Sequence, residues 1–345
     1  VDEEGLLAAI DESPGQVGPR EAYADWLRDR GDSRYQYLDA ERRLREAPLG
    51  APSRRELGRA WRELRAAQDP AWLRRLEPEA PIPAWLPAEA RRPPRLGLDD
   101  WHEWASESHY EWVVLAVLAP IEAVVRAVIE ARTNSSPGAA LASGPWEKNV
   151  PVGPARNGDS VADGIPFVQL RGHAWTVAMY DTFRLSLESQ RAALSDAATL
   201  SDRLGTLAVV YAAEDTSGAT GYELFECGER IEFAEWAPGE EVVFESRRRP
   251  PPGDEALDDF DDDLFRALGL YVPGFYAGWD AVRVGILEPT EVARADVLST
   301  RKLTWDVEPR ELPRTDDGLD RLPRPPSPGE VGPEGAVGDD ADNPF

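Results

Sequence analysis

The chain has 345 residues, one cysteine, 31 prolines, 42% hydrophobic residues and a formal charge of −26. That length suggests two domains at roughly 100–200 residues each, and the lone Cys227 excludes an intramolecular disulfide or a multi-cysteine zinc site. The acid excess argues against a general nucleic-acid binder, whose phosphate contacts need clustered cations, and against an electrostatically held membrane-surface protein.

Residues 1–77 read as helical throughout. Leu6, Leu7 and Ile10 share one face of a first helix that Pro14 and Gly15 end. Pro19 suits the start of a second helix, because its missing N–H needs no partner there. That helix carries Tyr23, Trp26 and Leu27 on one face, with Arg28, Asp29 and Arg30 toward water. Gly31 follows as a C′ residue able to turn left-handed, and Asp32 or Ser33 can cap the next helix. The third helix carries Tyr37, Leu38, Glu41 and Leu44 at turn spacing, and a fourth from Ser53 carries Leu57, Ala60, Trp61 and Leu64. Pro70-Ala71-Trp72-Leu73 begins a last short turn, giving a small helical bundle with an aromatic core.

Three stretches of this region, Leu6-Leu7-Ala8-Ala9-Ile10, Pro19-Arg20 and Tyr23-Ala24-Asp25-Trp26-Leu27 running to Arg30-Gly31-Asp32, resemble the bacterial repeat-companion domain. That module stands at the N-termini of diverse planctomycete and myxobacterial proteins, often beside leucine-rich or similar repeats. The resemblance implies tethering or partner contact and brings no catalytic residues. No repeat of 20–50 residues follows here. The charges around the motif, Asp25, Arg28, Asp29 and Arg30, form the surface a partner could read.

Residues 78–98 are proline-rich and read as a semi-extended linker. Residues 99–305 then alternate strand and helix signals. Tyr110 to Leu118 is apolar on both faces, as a central strand should be, and Pro120 can open a helix through Val124, Val125, Val128 and Ile129. A loop rich in Gly, Ser, Pro and Asn covers 133–164. Strands follow at Ile165–Leu170 and Ala174–Tyr180, a helix at Leu187–Leu204 and a strand at Leu207–Ala213. Two alternating strands, Thr220–Cys227 and Arg230–Trp236, flank a tight turn at Gly228-Glu229. The order β-α-β-β-α-β-β-β predicts an α+β domain with a mainly antiparallel sheet, compatible with ferredoxin-like or helix-grip topology. Arg247-Arg248-Arg249 and the prolines after it should be exposed, an acidic helix spans Asp254–Leu268, and a strand spans Ala281–Leu287. Residues 306–345 are rich in proline, glycine and acid, a composition expected to be disordered. Gly172-His173-Ala174-Trp175-Thr176-Val177, Glu214 to Gly218, Gly221 to Glu226 and Tyr271-Val272-Pro273 also resemble segments of uncharacterised bacterial proteins. That likeness implies a shared domain over most of 100–300, without an activity.

Candidate chemistry is sparse. Asp215-Thr216-Ser217-Gly218 is near an aspartic-protease loop, but one residue too many separates Asp215-Thr216 from the glycine and no second copy exists. Strand-linking turn chemistry explains it, with a small-molecule or peptide loop as the functional alternative. His173 has no local partner for general-base work, and with only three histidines, His102 and His109 two helical turns apart, a multi-histidine metal site is not expected. Cys227 reads as a small core residue, and the Asp258–Asp263 run lacks the glycine turn and distal carboxylate of a calcium loop. No metal or cofactor is expected, and no phosphate-binding glycine loop is present.

The expected function is therefore that of a non-enzymatic interaction or regulatory protein with a protein partner, accessory by analogy to a bacterial signalling or defence system. The opening residues lack the basic and apolar parts of a signal peptide, and the longest apolar run, Trp112 to Ile121, is too short to cross a bilayer, so a cytoplasmic location is expected. Candidate ligand- or partner-binding residues are His173, Trp175, Asp215, Thr216, Ser217 and Tyr222, and one alternative is an enzyme whose site lies between the 133–164 loop, His173 and the 214–221 turn. The other is a proteolytic substrate cut at Arg247, Arg248 or Arg249, or in the tail.

Overall fold

The computed structural model describes residues 2–13, 16–77, 83–87, 90, 112–135, 141–145, 165–180, 186–213, 219–237, 242–251, 260–271, 275–276, 288–289 and 297–305. The expected strand at 281–287, the tail 306–345, Asp215–Ser217 and most of the 78–98 stretch lie outside the described residues. The structure is an α+β mix of helices and an antiparallel sheet.

Five helices come first: α1 (Glu3–Glu12), α2 (Val17–Asp29), α3 (Tyr35–Glu46), α4 (Ser53–Ala66) and α5 (Pro70–Leu76). Asp2 caps α1 by accepting from the Gly5 N–H, and Asp69 caps α5 by accepting from Ala71 and Trp72, with Pro70 in the first turn. Gly31, at φ 69°, closes α2 as a C′ residue: its N–H reaches the Arg28 carbonyl while that of Asp32 reaches Leu27. Tyr23, Tyr37, Trp61 and Trp72 pack together, and the Trp72 indole donates to the Tyr23 hydroxyl at 2.9 Å. Trp26 is only half-buried. In α4 the buried face carries Arg54, Gly58 and Trp61, whereas Ala60 is exposed. Leu57, Trp61 and Leu64 pack on the core as expected, and Arg54 is buried beside them, where it finds three carbonyl acceptors.

The large sheet has nine strands in the order β2-β11-β3-β4-β1-β5-β6-β7-β8, all pairs antiparallel. Its members are β1 (Trp112–Val117), β2 (Leu141–Pro145), β3 (Ile165–Leu170), β4 (Thr176–Tyr180), β5 (Leu207–Ala213), β6 (Thr220–Glu226), β7 (Glu229–Trp236), β8 (Val243–Ser246) and β11 (Val297–Trp305). Two short strands, β9 (Phe275–Tyr276) and β10 (Glu288–Pro289), pair separately. Helix α6 (Ile121–Ser135) connects β1 toward β3, and α7 (Ser186–Leu204) connects β4 to β5. The inner order β3-β4-β1-β5 with these two helices is the interleaved split-βαβ arrangement of a ferredoxin-like sheet. Where the 133–164 segment is described, it holds β2 rather than loop alone, paired with β11. The β6–β7 turn is Cys227-Gly228, one residue earlier than the pattern indicated: Glu226 faces Glu229, and both turn residues have positive φ.

Residues of β1 alternate between two cores, which explains its unbroken apolar run. Val113, Leu115 and Val117 meet α6 and α7 through Val124, Val128, Ala197 and Leu200. Val114, Ala116 and Leu118 face the opposite core, shared with α8 (Phe260–Leu268) and with Trp85 and Leu86. That second cluster continues into α1–α5, and the described residues belong to one compact unit spanning 1–305.

Candidate functional site

A groove of about 200 Å³ lies between α2 and α3. Its floor is an ion pair, because Arg20 and Glu41 both point inward from otherwise apolar faces. The Arg20 Nε donates to Glu41 Oε1 at 2.8 Å and Nη2 to Oε2 at 2.5 Å, while Nη1 donates to the Leu76 carbonyl. The two residues are only 3% and 2% exposed, so each depends on the other for its charge. Burial alone would depress the Arg20 guanidinium, yet Glu41 raises it on balance. The rim is charged and accessible: Arg28 pairs with Asp25 at 2.7 Å, Arg42 with Asp39 at 2.6 Å, and Arg45 with Glu21 at 3.4 Å. Of the four motif charges, Asp25 and Arg28 line this groove; Asp29 and Arg30 are exposed beside it. Arg30 lies over the Trp26 ring at 3.8 Å from its centroid and covers part of its half-buried face.

His173 is buried in the β3–β4 connection, where its Nε2 accepts from the Tyr271 N–H at 3.0 Å. Burial lowers its pKa to about 4, so the ring is neutral at pH 7. Its carbonyl accepts from Gln169, whose Oε1 in turn accepts from the first N–H of α6. Trp175, fully buried, donates to the Leu268 carbonyl at 3.2 Å. Both side chains therefore fasten the end of α8 to the β3–β4 hairpin. Tyr222 donates to Glu232 at 2.7 Å and lies three strands from β4, about 14 Å at the usual spacing. The strands flanking 214–218 end at Ala213 and begin at Thr220, on the rung of Trp112. His173 follows the other end, where Thr176 pairs with Val117, about 17 Å along the strands. His173, Trp175 and Tyr222 do not converge on a shared cleft.

Of the three expected exposed arginines, only Arg247 is exposed, paired with Glu229 at 3.0 Å. Arg248 is buried against Glu226, and Arg249 is held by Glu232 and the Tyr222 hydroxyl at 2.6 Å each. The expectation of a fully exposed run is thus corrected: two buried carboxylates draw the second and third arginines inward. Glu226 also accepts from the Trp85 indole at 2.7 Å, and its burial pushes its pKa upward against the pull of Arg248. These buried acids were not singled out from sequence. The signal was nevertheless present: Glu226 shares its strand parity with Tyr222 and Leu224, which face the core, and a carboxylate there requires a partner.

Cys227 is buried at the hairpin turn, and burial raises its thiol pKa well above the ordinary value. Among the described residues no group of three or more histidine, cysteine, aspartate or glutamate side chains is arranged to hold a metal ion. No described helix is long and apolar enough to cross a membrane. No protein-family model, no curated protein and no solved structure matches the chain.

Proposed function

We propose that this is a non-enzymatic interaction protein that docks a protein partner through the α2–α3 face. The observation that carries this reading is the groove itself: a fixed ion pair at its floor and oppositely charged pairs, half-buried to exposed, at its rim. A rigid floor keeps the rim charges in register, and complementary charge gives specificity and encounter rate more than raw affinity. The structural duties of His173, Trp175 and Tyr222 favour binding over catalysis as the role of the molecule. The resemblance of the first helices to repeat-companion modules supports the same reading, and by analogy a role as an accessory in a bacterial signalling or defence system inside the cell. The charge of −26 supports a protein rather than a nucleic acid as partner.

Co-purification from the native host, at native salt, tests this. Asp25→Arg removes one exposed ion pair and Arg28→Glu two, so each should cost about 1 kcal/mol of stability or less. The wild-type chain is expected to retain a stoichiometric partner that both folded variants lose. A wild-type chain that elutes alone, or a partner held equally by both variants, overturns the proposal.

A further inference from the structure

Arg55, Arg59 and Arg62 lie one turn apart along α4, a span of about 10 Å, and all three reach Asp202 of α7. Arg55 Nη2 donates to Asp202 Oδ2 at 3.3 Å and Arg62 Nη2 to Oδ1 at 3.1 Å. Arg59 makes a forked contact, Nε to Oδ1 at 3.2 Å and Nη2 to Oδ2 at 2.8 Å. A carboxylate has about four acceptor positions, so these bonds saturate it. The next acid, Glu229, stands 3.8 Å from Arg62 and is already paired with Arg247 at 3.0 Å. Four guanidiniums therefore share two carboxylates, and the side chains of Arg55, Arg59 and Arg247 are 41%, 49% and 56% exposed. Their exposed guanidiniums form a basic row on a molecule of net charge −26.

We propose that this cluster is a second interaction surface, separate from the α2–α3 groove, and that it takes a short acidic segment of a partner protein. Guanidinium forks match carboxylates in pairs, and a cluster with unspent donors accepts further carboxylates without moving. The acidic remainder of the molecule does not prevent this, since charges beyond about 8 Å are largely screened at physiological salt. It does disfavour a long polyanion, as do the exposed Glu56 and Glu63 that interrupt the basic row on the same helix.

Titration calorimetry of the full chain with hexaglutamate at physiological salt tests the proposal, with a thymidine hexanucleotide as the competing probe. Hexaglutamate is expected to bind, to weaken about tenfold in Arg59→Ser, and to weaken less in Arg59→Lys, which keeps the charge and loses the fork. Asp202→Asn, which removes the internal competitor, should tighten binding. Arg59 is exposed, so its variants should fold, and thermal melting verifies it. No hexaglutamate binding, equal binding by Arg59→Ser, or preference for the hexanucleotide overturns the assignment. So does an equal loss in Arg28→Glu, because that would move the contact to the groove; loss of the co-purified partner in that variant alone bears only on the groove.

Discussion

Burial decides what His173 does. In the unfolded chain its pKa is near the ordinary 6.5, while in the folded protein burial lowers it to about 4. Between those values the unfolded state binds the extra proton, so stability is complete above about pH 6.5 and falls as the pH drops toward 4. The shift corresponds to roughly 3 kcal/mol at most. Urea unfolding at a series of pH values should show that slope, and His173→Gln, whose amide oxygen can accept from Tyr271, should flatten it. An unchanged slope in the variant would show that another group titrates. Glu77 acts at lower pH: although burial raises it, Arg65 and Arg248 hold it below the ordinary 4.5. Its contribution is present above that value and fades as the pH falls through the lowered one. Tyr23 is pushed up to about 12 by burial and by its bond to Glu3, which leaves its hydroxyl a permanent donor in the helical core.

At the scale of elements, helix ends show what sequence can and cannot say. Gly31 and Gly205 both end helices with positive φ, 69° and 54°, and both make the same paired hydrogen bonds back into the last turn. Around Gly31 nothing lies within 4 Å of an added Cβ, whereas at Gly205 it would stand 2.1 Å from the Arg54 carbonyl oxygen. Gly31→Ala should therefore cost about 1 kcal/mol, the left-handed penalty alone. Gly205→Ala should cost about 3 kcal/mol, since α4 must also move; chemical denaturation of the two variants checks the difference. The first glycine was legible because its whole logic is local. The second was not, because the neighbour that needs it is 151 residues away. The same separation hid part of the reason Arg54 is buried: it bonds the distant Gly205 carbonyl besides the nearby carbonyls of Leu44 and Ala47. Strands β3 and β5 were read from their apolar runs at the bounds the structure gives them. β8 and β11 were not, since β8 is a short edge strand and β11 is a polar strand whose partners come from far earlier in the chain.

Across the whole molecule, the helices and the sheet are joined by polar contacts as well as by apolar packing. Trp85, inside a stretch whose composition suggested only a spacer, is fully buried and donates to Glu226, which also holds Arg248. Trp85→Phe, which keeps most of the apolar contact, should cost about 1.5–3 kcal/mol for the lost bond to a charged acceptor. Glu226→Gln should cost more, about 3–5 kcal/mol, because it leaves the Arg248 charge buried without its carboxylate. Urea midpoints of the two variants give the order, and the reverse order would remove the ion pair from this role. Proline content marked a boundary in the sequence, but it could not reveal that one tryptophan within it enters a distant core. The α2–α3 groove was legible in part: Asp25 and Arg28 belong to a charged motif, while its Arg20–Glu41 floor depends on how two helices meet.

The single thiol sits at that same junction. Cys227 packs so closely on α4 that its Sγ is 3.0 Å from where a Gly58 side chain would begin. A thiol-specific disulfide dye cannot reach it while helix and hairpin remain together, and its raised pKa slows attack further. At dye concentrations where capture outpaces reclosing, its rate in native buffer therefore times how often α4 parts from the hairpin over Cys227, making the molecule a stopwatch for its own opening.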